Sequence, residues 1–255
     1  MKDFINSDCN EILKTIPDKS INLFLEDMPY NTTACHWEYE VDLEQYWALR
    51  LPKLADKGCF VLTGSQPFTT DLIMSNRKMF KYELIWEKNR FTNFMNAKKM
   101  PMRNHENILI FYSTQPIFNP QLRMVHGRGH SSNYKSTKIH NISGKASLSY
   151  SSKREPGLGM SGSVIFIPSE TEVYNSSNGK QGRHPTQKPV DLFRYMIKMH
   201  TNKGDTVFDG YAGSGTTAIA CEIEDRNYIC VEMDKDYFDA ASKRLANHKS
   251  QLRIF

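Results

Sequence analysis

Cysteine is scarce in this sequence, and the few cysteines are far apart. The 255 residues include five, at Cys9, Cys35, Cys59, Cys221 and Cys230. No two of them have the spacing of a disulfide framework or of a zinc-binding pair. We therefore expect neither a metal site nor a disulfide, and we interpret the cysteines as small buried residues in a reducing compartment.

Long hydrophobic runs are also absent. A membrane-spanning helix needs about 20 consecutive apolar residues, and the sequence contains no such stretch. The first residues, MKDFINSDCNEILK, carry acids and polar side chains where a secretory signal would have an apolar core. These absences predict a soluble cytoplasmic protein without membrane contact. A chain of 255 residues is long enough for one α/β domain with an inserted region.

Positive charge is concentrated in one part of the chain. The net charge is +5, but residues 121–183 contain nine Lys or Arg and three Glu, which gives +6 and leaves −1 for the rest. This region is also rich in Ser, Asn and Gly, a composition typical of flexible loops. A basic module that contacts a phosphate backbone is the alternative interpretation.

Hydrophobic periodicity predicts a chain that alternates strands and helices. Leu43, Trp47, Leu51 and Leu54 recur at helical spacing, and Gly58 is a candidate helix stop. Short apolar runs predict strands, at residues 21–25, 59–62, 82–86, 108–111, 163–167, 206–209 and 228–231. The alternation indicates an α/β fold with a mostly parallel sheet.

The stretch FDGYAGSGTT, residues 208–217, contains a glycine-rich turn at Gly210–Gly215, which lies between a predicted strand and a helix predicted to begin at Thr216. Glycines in this setting let a ligand approach the backbone and the helix N-terminus. The spacing G-x-x-G-x-G does not fit the dinucleotide fingerprint, and the Gly-Lys-Ser/Thr of a P-loop is missing. Glu232 lies 17 residues after Gly215, at the end of the next predicted strand, where a carboxylate can hold two ribose hydroxyls. The pattern predicts a nucleotide-like ligand.

The tetrapeptide Asp27-Met28-Pro29-Tyr30 directly follows the first predicted strand. Its side chains are expected at the carboxyl edge of the sheet, where open α/β folds bind ligands. The glycine-rich turn opens at the same edge. Alone, a D-x-P-Y sequence is also typical of an ordinary turn, but the two motifs together predict one site built from distant parts of the chain.

These two motifs resemble those of the DNA amino-methyltransferase family of the N6-adenine, Asp-Pro-Pro-Tyr type. The order, with the tetrapeptide first and the glycine-rich turn near the C-terminus, is similar to the circularly permuted beta class. The resemblance implies a Rossmann-like S-adenosylmethionine-dependent methyltransferase fold, with a twisted sheet, helices on both faces and an inserted target-recognition region. It divides the chain into a catalytic half at 1–112, a target-recognition insertion at 113–183 and a cofactor-binding half at 184–255.

The resemblance assigns the chemistry to the tetrapeptide. An exocyclic adenine amine is a poor nucleophile because its lone pair is delocalised into the ring. The Asp27 carboxylate and the Met28 carbonyl would each accept a hydrogen bond from the amine and raise the electron density on its nitrogen. Tyr30 would stack on the base, and Pro29 would stiffen the turn. Met28 replaces a proline of the family pattern, which keeps the carbonyl but loses rigidity. Neither a covalent intermediate nor a metal is required.

The resemblance also assigns residues to S-adenosylmethionine. Glu232 would hold the ribose, Met233 would contact the adenine ring, and Asp8 with Cys9 would contact the adenine amine. Asp8 is equally well interpreted as a helix N-cap. The remaining positions would hold the methionine end, with Asp209, Gly210, Ala212, Gly213, Ser214 and Gly215 in the turn and with His184, Thr186, Gln187 and Lys188 on its carboxylate.

The segment 82–112 also resembles the family, in which it lines the target-base pocket. Trp86 and Lys88 are candidates for the pocket wall, although core packing is the more common role of a tryptophan. Lys98, Lys99 and Arg103 are expected either to meet phosphates or to be solvated.

Several functional alternatives stay open at the level of sequence. The target amine could belong to cytosine N4, although family members acting there more often carry Ser at the position of Asp27. The substrate could be structured RNA rather than duplex DNA, or the chain could be a catalytically silent DNA-binding relative. The resemblance further suggests a homodimer, a cognate restriction endonuclease and association with the nucleoid through DNA.

Overall fold

A mixed eight-stranded sheet organises the computed structural model, which describes residues 1–30, 41–124, 158–169 and 187–252. Its strands are β1 (Lys2–Asn6), β2 (Ile21–Glu26), β3 (Leu54–Gly64), β4 (Phe80–Thr92), β5 (Arg103–Phe111), β8 (Val164–Phe166), β9 (Thr206–Asp209) and β10 (Asn227–Glu232). The strand order is β1-β10-β9-β2-β3-β5-β4-β8. The first five strands in this order run parallel to one another, β5 is antiparallel to both of its neighbours, and β8 is parallel to β4.

Helices cover both faces of this sheet. One apolar cluster joins α1 (Cys9–Thr15), α2 (Leu43–Arg50) and α3 (Phe68–Ser75) to one face, and a second joins α4 (Val190–His200), α5 (Thr216–Ile223) and α6 (Lys235–Leu252) to the other. Successive strand residues point to opposite faces: Leu23 and Leu25 belong to the second cluster and Phe24 to the first. Strands buried on both faces are apolar throughout, and the predicted Rossmann-like α/β fold is confirmed.

One predicted helix is wrong in its second half. The helix ends at Arg50 and is followed by a 3-10 turn at Leu51–Lys53, so Leu54 and Gly58 belong to β3 and not to a helix and its stop. Pro52 lacks the N–H that a continuing helix needs. Leu54 pairs with Ile21 of β2, because parallel sheet pairing, invisible to a one-dimensional pattern, takes over at this point.

The chain divides into two compact units, one of residues 1–119 and 163–255 and one of residues 120–162. In the smaller unit, β6 (Leu122–Met124) pairs antiparallel with β7 (Leu158–Met160). The strand predicted at 163–167 corresponds to β8 in the larger sheet. Most of the predicted target-recognition insertion lies outside the described residues. Within the described ranges, no helix is both long and apolar enough to cross a membrane.

Strand pairing sets the position of the two sequence motifs. β2 and β9 are neighbours, and Phe24 is paired with Phe208. Asp27 follows this pair by three residues and Asp209 by one, so the tetrapeptide and the glycine-rich turn both begin at the carboxyl edge of the sheet. The tertiary fold thereby places next to each other two motifs separated by most of the chain.

Candidate active site

Asp27 is held by three donor side chains. Its Oδ1 accepts hydrogen bonds from the hydroxyls of Tyr30 and Thr63, and its Oδ2 accepts one from Lys188 Nζ at 2.6 Å. Burial alone would raise the pKa of Asp27, but the Lys188 charge and the hydrogen bonds outweigh it and hold this pKa below its ordinary value of 3.8. Asp27 is therefore ionised at neutral pH and is a poor proton acceptor but a good hydrogen-bond acceptor.

Lys188 links the tetrapeptide to the antiparallel strands. Its side chain is 8% exposed, and Nζ lies 3.3 Å from Glu106 Oε2 in addition to its contact with Asp27. Glu106 in turn accepts from Lys88 Nζ at 2.8 Å. Burial opposes the charge on Lys188, but Asp27 and Glu106 prevail and raise its pKa. Negative and positive charges thus alternate along this edge, in the order Asp27, Lys188, Glu106 and Lys88.

The rest of the tetrapeptide divides into buried and accessible parts. The Met28 side chain is buried in the apolar cluster with α1 and α2, so the residue that departs from the family pattern fills the core. Pro29 and Tyr30 are half-buried. The Tyr30 ring stacks on Phe68 with centroids 5.5 Å apart, and burial together with Asp27 raises the pKa of Tyr30 well above 10, so its hydroxyl is retained as a donor.

The glycine-rich turn wraps around the end of β10. Gly213 and Gly215 have φ values of 47° and 73°, a region that glycine adopts without strain. The Gly213 N–H donates to Glu232 Oε2 at 2.7 Å, and the Ala212 N–H donates to Val231 O at 3.0 Å. The Ser214 hydroxyl lies 3.1 Å from that of Thr216. The N-cap position of α5 supplies no side-chain cap to the helix that follows.

Asp209 stabilises the turn through the hydrogen bonds of its buried carboxylate. It is 2% exposed, and its carboxylate accepts from the Tyr211 N–H at 2.9 Å and from the Thr217 hydroxyl. Burial raises the pKa of Asp209 to about 8, although both hydrogen bonds oppose the rise. In this structure its oxygens hold the turn and the first residues of α5, so its observed contacts position the loop.

A fully buried ion pair lies directly beneath Gly210. Arg50 Nε contacts both Glu26 oxygens at 3.1 and 3.0 Å, and both residues are 0% exposed. Glu26 Oε1 also accepts from the Gly210 N–H at 3.0 Å, and Oε2 accepts from Tyr46. A Cβ on Gly210 would lie 2.8 Å from Glu26 Oε1 and 2.9 Å from Arg50 Nη2. Only glycine fits over this pair.

Glu232 and Met233 close the other side of the turn. The second oxygen of Glu232 accepts from the Asp234 N–H at 2.8 Å, so main-chain donors hold both oxygens. Burial raises the pKa of Glu232 despite these bonds. Met233 is 59% exposed, and Asn6 Nδ2 fixes its backbone by donating to the carbonyl oxygen at 3.0 Å.

The N-terminal candidates have local structural roles. Asp8 is the N-cap of α1 and accepts from the Asn10 N–H at 2.8 Å, as one of its two interpretations predicted. Cys9 is buried with Sγ 3.5 Å from Arg50 Nη2, and burial raises the pKa of its thiol to about 11. Their contact with a cofactor stays a prediction.

The remaining candidates fall into three groups. His184 and Thr186 lie outside the described residues. Gln187 is half-buried just before α4, next to Lys188, whose ammonium group contacts Asp27. Trp86 is 2% exposed and donates from Nε1 to Ile167 O at 2.8 Å, so its observed role is core packing.

Sequence reasoning missed the side chains that support Asp27 and Gly210. They come from β2, α2, β3 and β5: Glu26, Tyr46, Arg50, Thr63 and Glu106. The one signal in the sequence is Glu26 itself, an acid at the end of an apolar strand directly before Asp27. Its partner Arg50 lies in a helix whose pattern marks only the apolar positions, so nothing local identifies Arg50.

Comparison with known proteins gives the family of the chain. Residues 21–243 match the N6_N4_Mtase family model, described as DNA methylase. This match covers most of the 255 residues, and the chain belongs to this family of DNA methylases.

Similar proteins match nearly the whole chain. It is 28% identical over 252 residues to the Type II methyltransferase M1.MboII of Moraxella bovis, with 92% of each chain covered. The structure of the M1.HpyAVI–SAM complex is 23% identical with a TM-score of 0.61, covering 96% of this chain and 100% of that one. The cytosine-N4-specific PvuII DNA methyltransferase is 17% identical with a TM-score of 0.63, covering 97% and 91%. Because both identities are below 25%, these two comparisons show that the chain shares its fold with both structures.

Proposed function

We propose that the chain transfers a methyl group from S-adenosylmethionine to the exocyclic N6 amine of an adenine flipped out of duplex DNA. The observation that carries this proposal is the hydrogen bonding of the Asp27 carboxylate at the sheet edge beside the glycine-rich turn. A carboxylate has about four acceptor sites, and Tyr30, Thr63 and Lys188 occupy three of them. One site is left for an amine hydrogen.

The turn fits the proposed cofactor. The left-handed Gly213 and Gly215 bring main chain close to the start of α5, which has no side-chain cap, an arrangement suited to an anionic ligand group. Glu232 lies where a carboxylate can accept from ribose hydroxyls, and the exposed Met233 follows it. When bound, S-adenosylmethionine supplies an electrophilic methyl group on its sulfonium sulfur. We propose the turn, Glu232, Met233, Asp8 and the 184–188 segment as its binding residues.

Asp27 orients the amine and increases its electron density. Its low pKa means that it accepts a hydrogen bond without removing the proton before the methyl is transferred. The Met28 carbonyl is proposed as the second acceptor, with the buried Met28 side chain fixing the turn in place of a proline. The Tyr30 hydroxyl holds Asp27, so its proposed stacking on the base uses a ring that is already oriented.

Adenine is favoured over cytosine by Asp27. Family members that act on cytosine N4 more often carry Ser at this position, and a carboxylate is a stronger acceptor than a hydroxyl. The N6_N4_Mtase family includes both activities by name. The beta-class arrangement is proposed from the chain order, in which the tetrapeptide of β2 precedes the turn after β9.

The deciding experiment identifies the base and the polymer together. DNA from cells expressing the wild-type chain or Asp27→Ala is sequenced for modified bases, and both proteins are assayed for tritium transfer on matched DNA and RNA duplexes. We expect N6-methyladenine in one sequence context, dependence on Asp27 and no transfer to RNA. N4-methylcytosine, methylated RNA, or DNA binding without any transfer would each establish a competing function.

We further propose that the chain modifies DNA within a restriction-modification system and acts in the cytoplasm on the nucleoid. The Type II designation of the similar M1.MboII supports the first point. A homodimer is proposed from the resemblance to the beta class. Light scattering after size exclusion tests it, and a monomer at micromolar concentration with full activity would exclude it.

A further inference from the structure

The hairpin between β4 and β5 ends in an exposed apolar tip, residues 91–102. Of the twelve exposed large apolar side chains in the described part of the chain, five are in this tip: Phe91, Phe94, Met95, Met100 and Met102. Phe94 is 68% exposed and Met95 is 96% exposed. Contiguous exposed apolar surface marks interaction sites.

The same tip is positively charged. No acid occurs between Glu87 and Glu106, whereas this stretch contains Lys88, Arg90, Lys98, Lys99 and Arg103. Arg90, Lys98 and Lys99 are exposed. Cations that flank protruding apolar groups match a ligand with an anionic exterior and an apolar interior, which is the chemistry of stacked bases between phosphate backbones.

The tip projects from the edge that carries Asp27. β5 is antiparallel to both β3 and β4, so β4 runs in the direction of β3 and β2 and ends at the same edge. Lys88 is connected to Asp27 through Glu106 and Lys188. β4 continues four residues past Lys88 to Thr92, which carries the tip roughly 13 Å beyond this network at about 3.3 Å per residue.

The tip is held in shape by its own hydrogen bonds. The Asn96 side chain donates to Asn93 Oδ1 at 2.7 Å, and the Lys99 and Met100 N–H groups donate to Asn96 O at 2.8 and 3.0 Å. At its base, Arg103 donates to Ser65, which follows β3. Polar groups therefore form the inside of the turn while Phe94 and Met95 point outward. This preorganisation lowers the entropy lost on binding.

We propose that the hairpin tip is a wedge that enters the DNA stack beside the target base. Phe94 and Met95 would fill the space left by the flipped nucleotide, while Arg90, Lys98 and Lys99 contact the phosphates. The inference rests on the proposed function, since it assigns a segment to the opening of that duplex. Unstacking costs roughly a few kcal/mol, and apolar insertion is one way in which proteins offset this cost.

The test compares a paired target with a pre-opened one. Wild type, Phe94→Ser/Met95→Ser and the control Met74→Ser are assayed on a duplex carrying the mapped site and on the same duplex with the target adenine mispaired. Met74 is a suitable control because its side chain is 67% exposed and it lies on α3, outside the hairpin tip. We expect the double variant to methylate the paired duplex at least tenfold more slowly and the mispaired duplex within about threefold of wild type. Fluorescence of 2-aminopurine at the target position should fall in parallel.

Other outcomes overturn the wedge. Equal loss on both duplexes would mean that the tip supports binding or folding in general, and unchanged rates with a change in oligomeric state would assign it to contact between copies of the chain. Wild-type activity on the paired duplex is scored separately, so its absence would count against the proposed function and not against the wedge. For Lys98→Gln/Lys99→Gln we expect weaker DNA binding, and the slope of the logarithm of the binding constant against the logarithm of the salt concentration should fall by about 2. An unchanged slope would show that these lysines do not contact phosphates.

Discussion

Two carboxylates at the same sheet edge are held in opposite ways. Glu232, beside the glycine-rich turn, is bound by the main-chain N–H groups of Gly213 and Asp234, and burial raises its pKa. Asp27, in the tetrapeptide, is bound by side chains of Tyr30, Thr63 and Lys188, and its pKa is lowered. Main-chain donors persist through most substitutions, whereas each side-chain donor can be lost by one. The surroundings of Asp27 are therefore the part that single substitutions alter most readily.

The largest effect is expected from Asp27→Ala. The acceptor disappears while the glycine-rich turn is untouched, so methyl transfer should fall by at least about 10³ with cofactor affinity within about threefold of wild type. Single-turnover transfer and calorimetric titration with S-adenosylmethionine measure the two quantities. A variant that retains more than a tenth of the rate would show that Asp27 is not the essential acceptor.

Arg50→Met tests the ion pair that connects the end of β2 to the glycine-rich turn. Glu26 accepts from both Arg50 and the Gly210 N–H, and removing Arg50 leaves a buried charge without its cation. We expect a loss of about 3–5 kcal/mol in the free energy of unfolding, measured by urea denaturation. The double variant Glu26→Gln/Arg50→Met should recover at least half of it, because no buried charge remains. Equal loss in both would assign the effect to packing alone.

Lys188→Met should turn Asp27 into a carboxyl group that titrates at higher pH. The folded pKa of Asp27 lies below its ordinary value, so the ionised form is present above that pKa and is lost as the pH falls through it. Without Lys188 the effect of burial prevails, and the acid limb of the pH–rate profile should move to higher pH. Lys53→Met, which removes a cation paired with Asp18 instead, should leave the limb in place. If the acid limb of Lys188→Met does not move, Lys188 does not set the pKa of Asp27.

Gly213→Val should weaken cofactor binding with a smaller effect, about 10- to 100-fold. Gly213 adopts φ of 47°, which is strained for a β-branched residue. Gly204 has φ of 84°, and a Cβ added there would meet no atom within 4 Å, so Gly204→Val introduces similar strain away from the turn. If both variants bind S-adenosylmethionine equally well, the turn is not the cofactor site.

The strand and helix that flank the glycine-rich turn could be predicted from sequence almost completely. β9 has the bounds predicted for its strand, Thr206–Asp209, and α5 begins at Thr216 directly after the turn. These elements are encoded within about thirty residues, because a strand, a glycine turn and a helix start each leave a local pattern. The predicted boundary that failed, Leu54 in β3, depends on pairing with a distant strand.

The support of Asp27 could not be predicted in this way. Thr63 and Lys188 are 36 and 161 residues away from it in the chain, and Arg50 reaches Glu26 across 24 residues. Thr63 and Arg50 lie in segments without a functional motif, and the motif that contains Lys188 was assigned to the cofactor and not to Asp27. Their convergence arises when β2 pairs with β3 and when α2 and α4 pack on the two faces of the sheet, and no pattern shorter than the sheet contains that information.

By itself, the sequence determined the α/β alternation, the position of the tetrapeptide at a strand end and the conformation of the glycine turn, because backbone preferences and hydrophobic period act over a few residues. Only the tertiary structure decided which charges surround Asp27, what lies under Gly210 and how far the hairpin tip projects. The physical reason is that a buried charge is stabilised by whichever groups the packed sheet places within a few ångströms, and chain separation has no bearing on that distance.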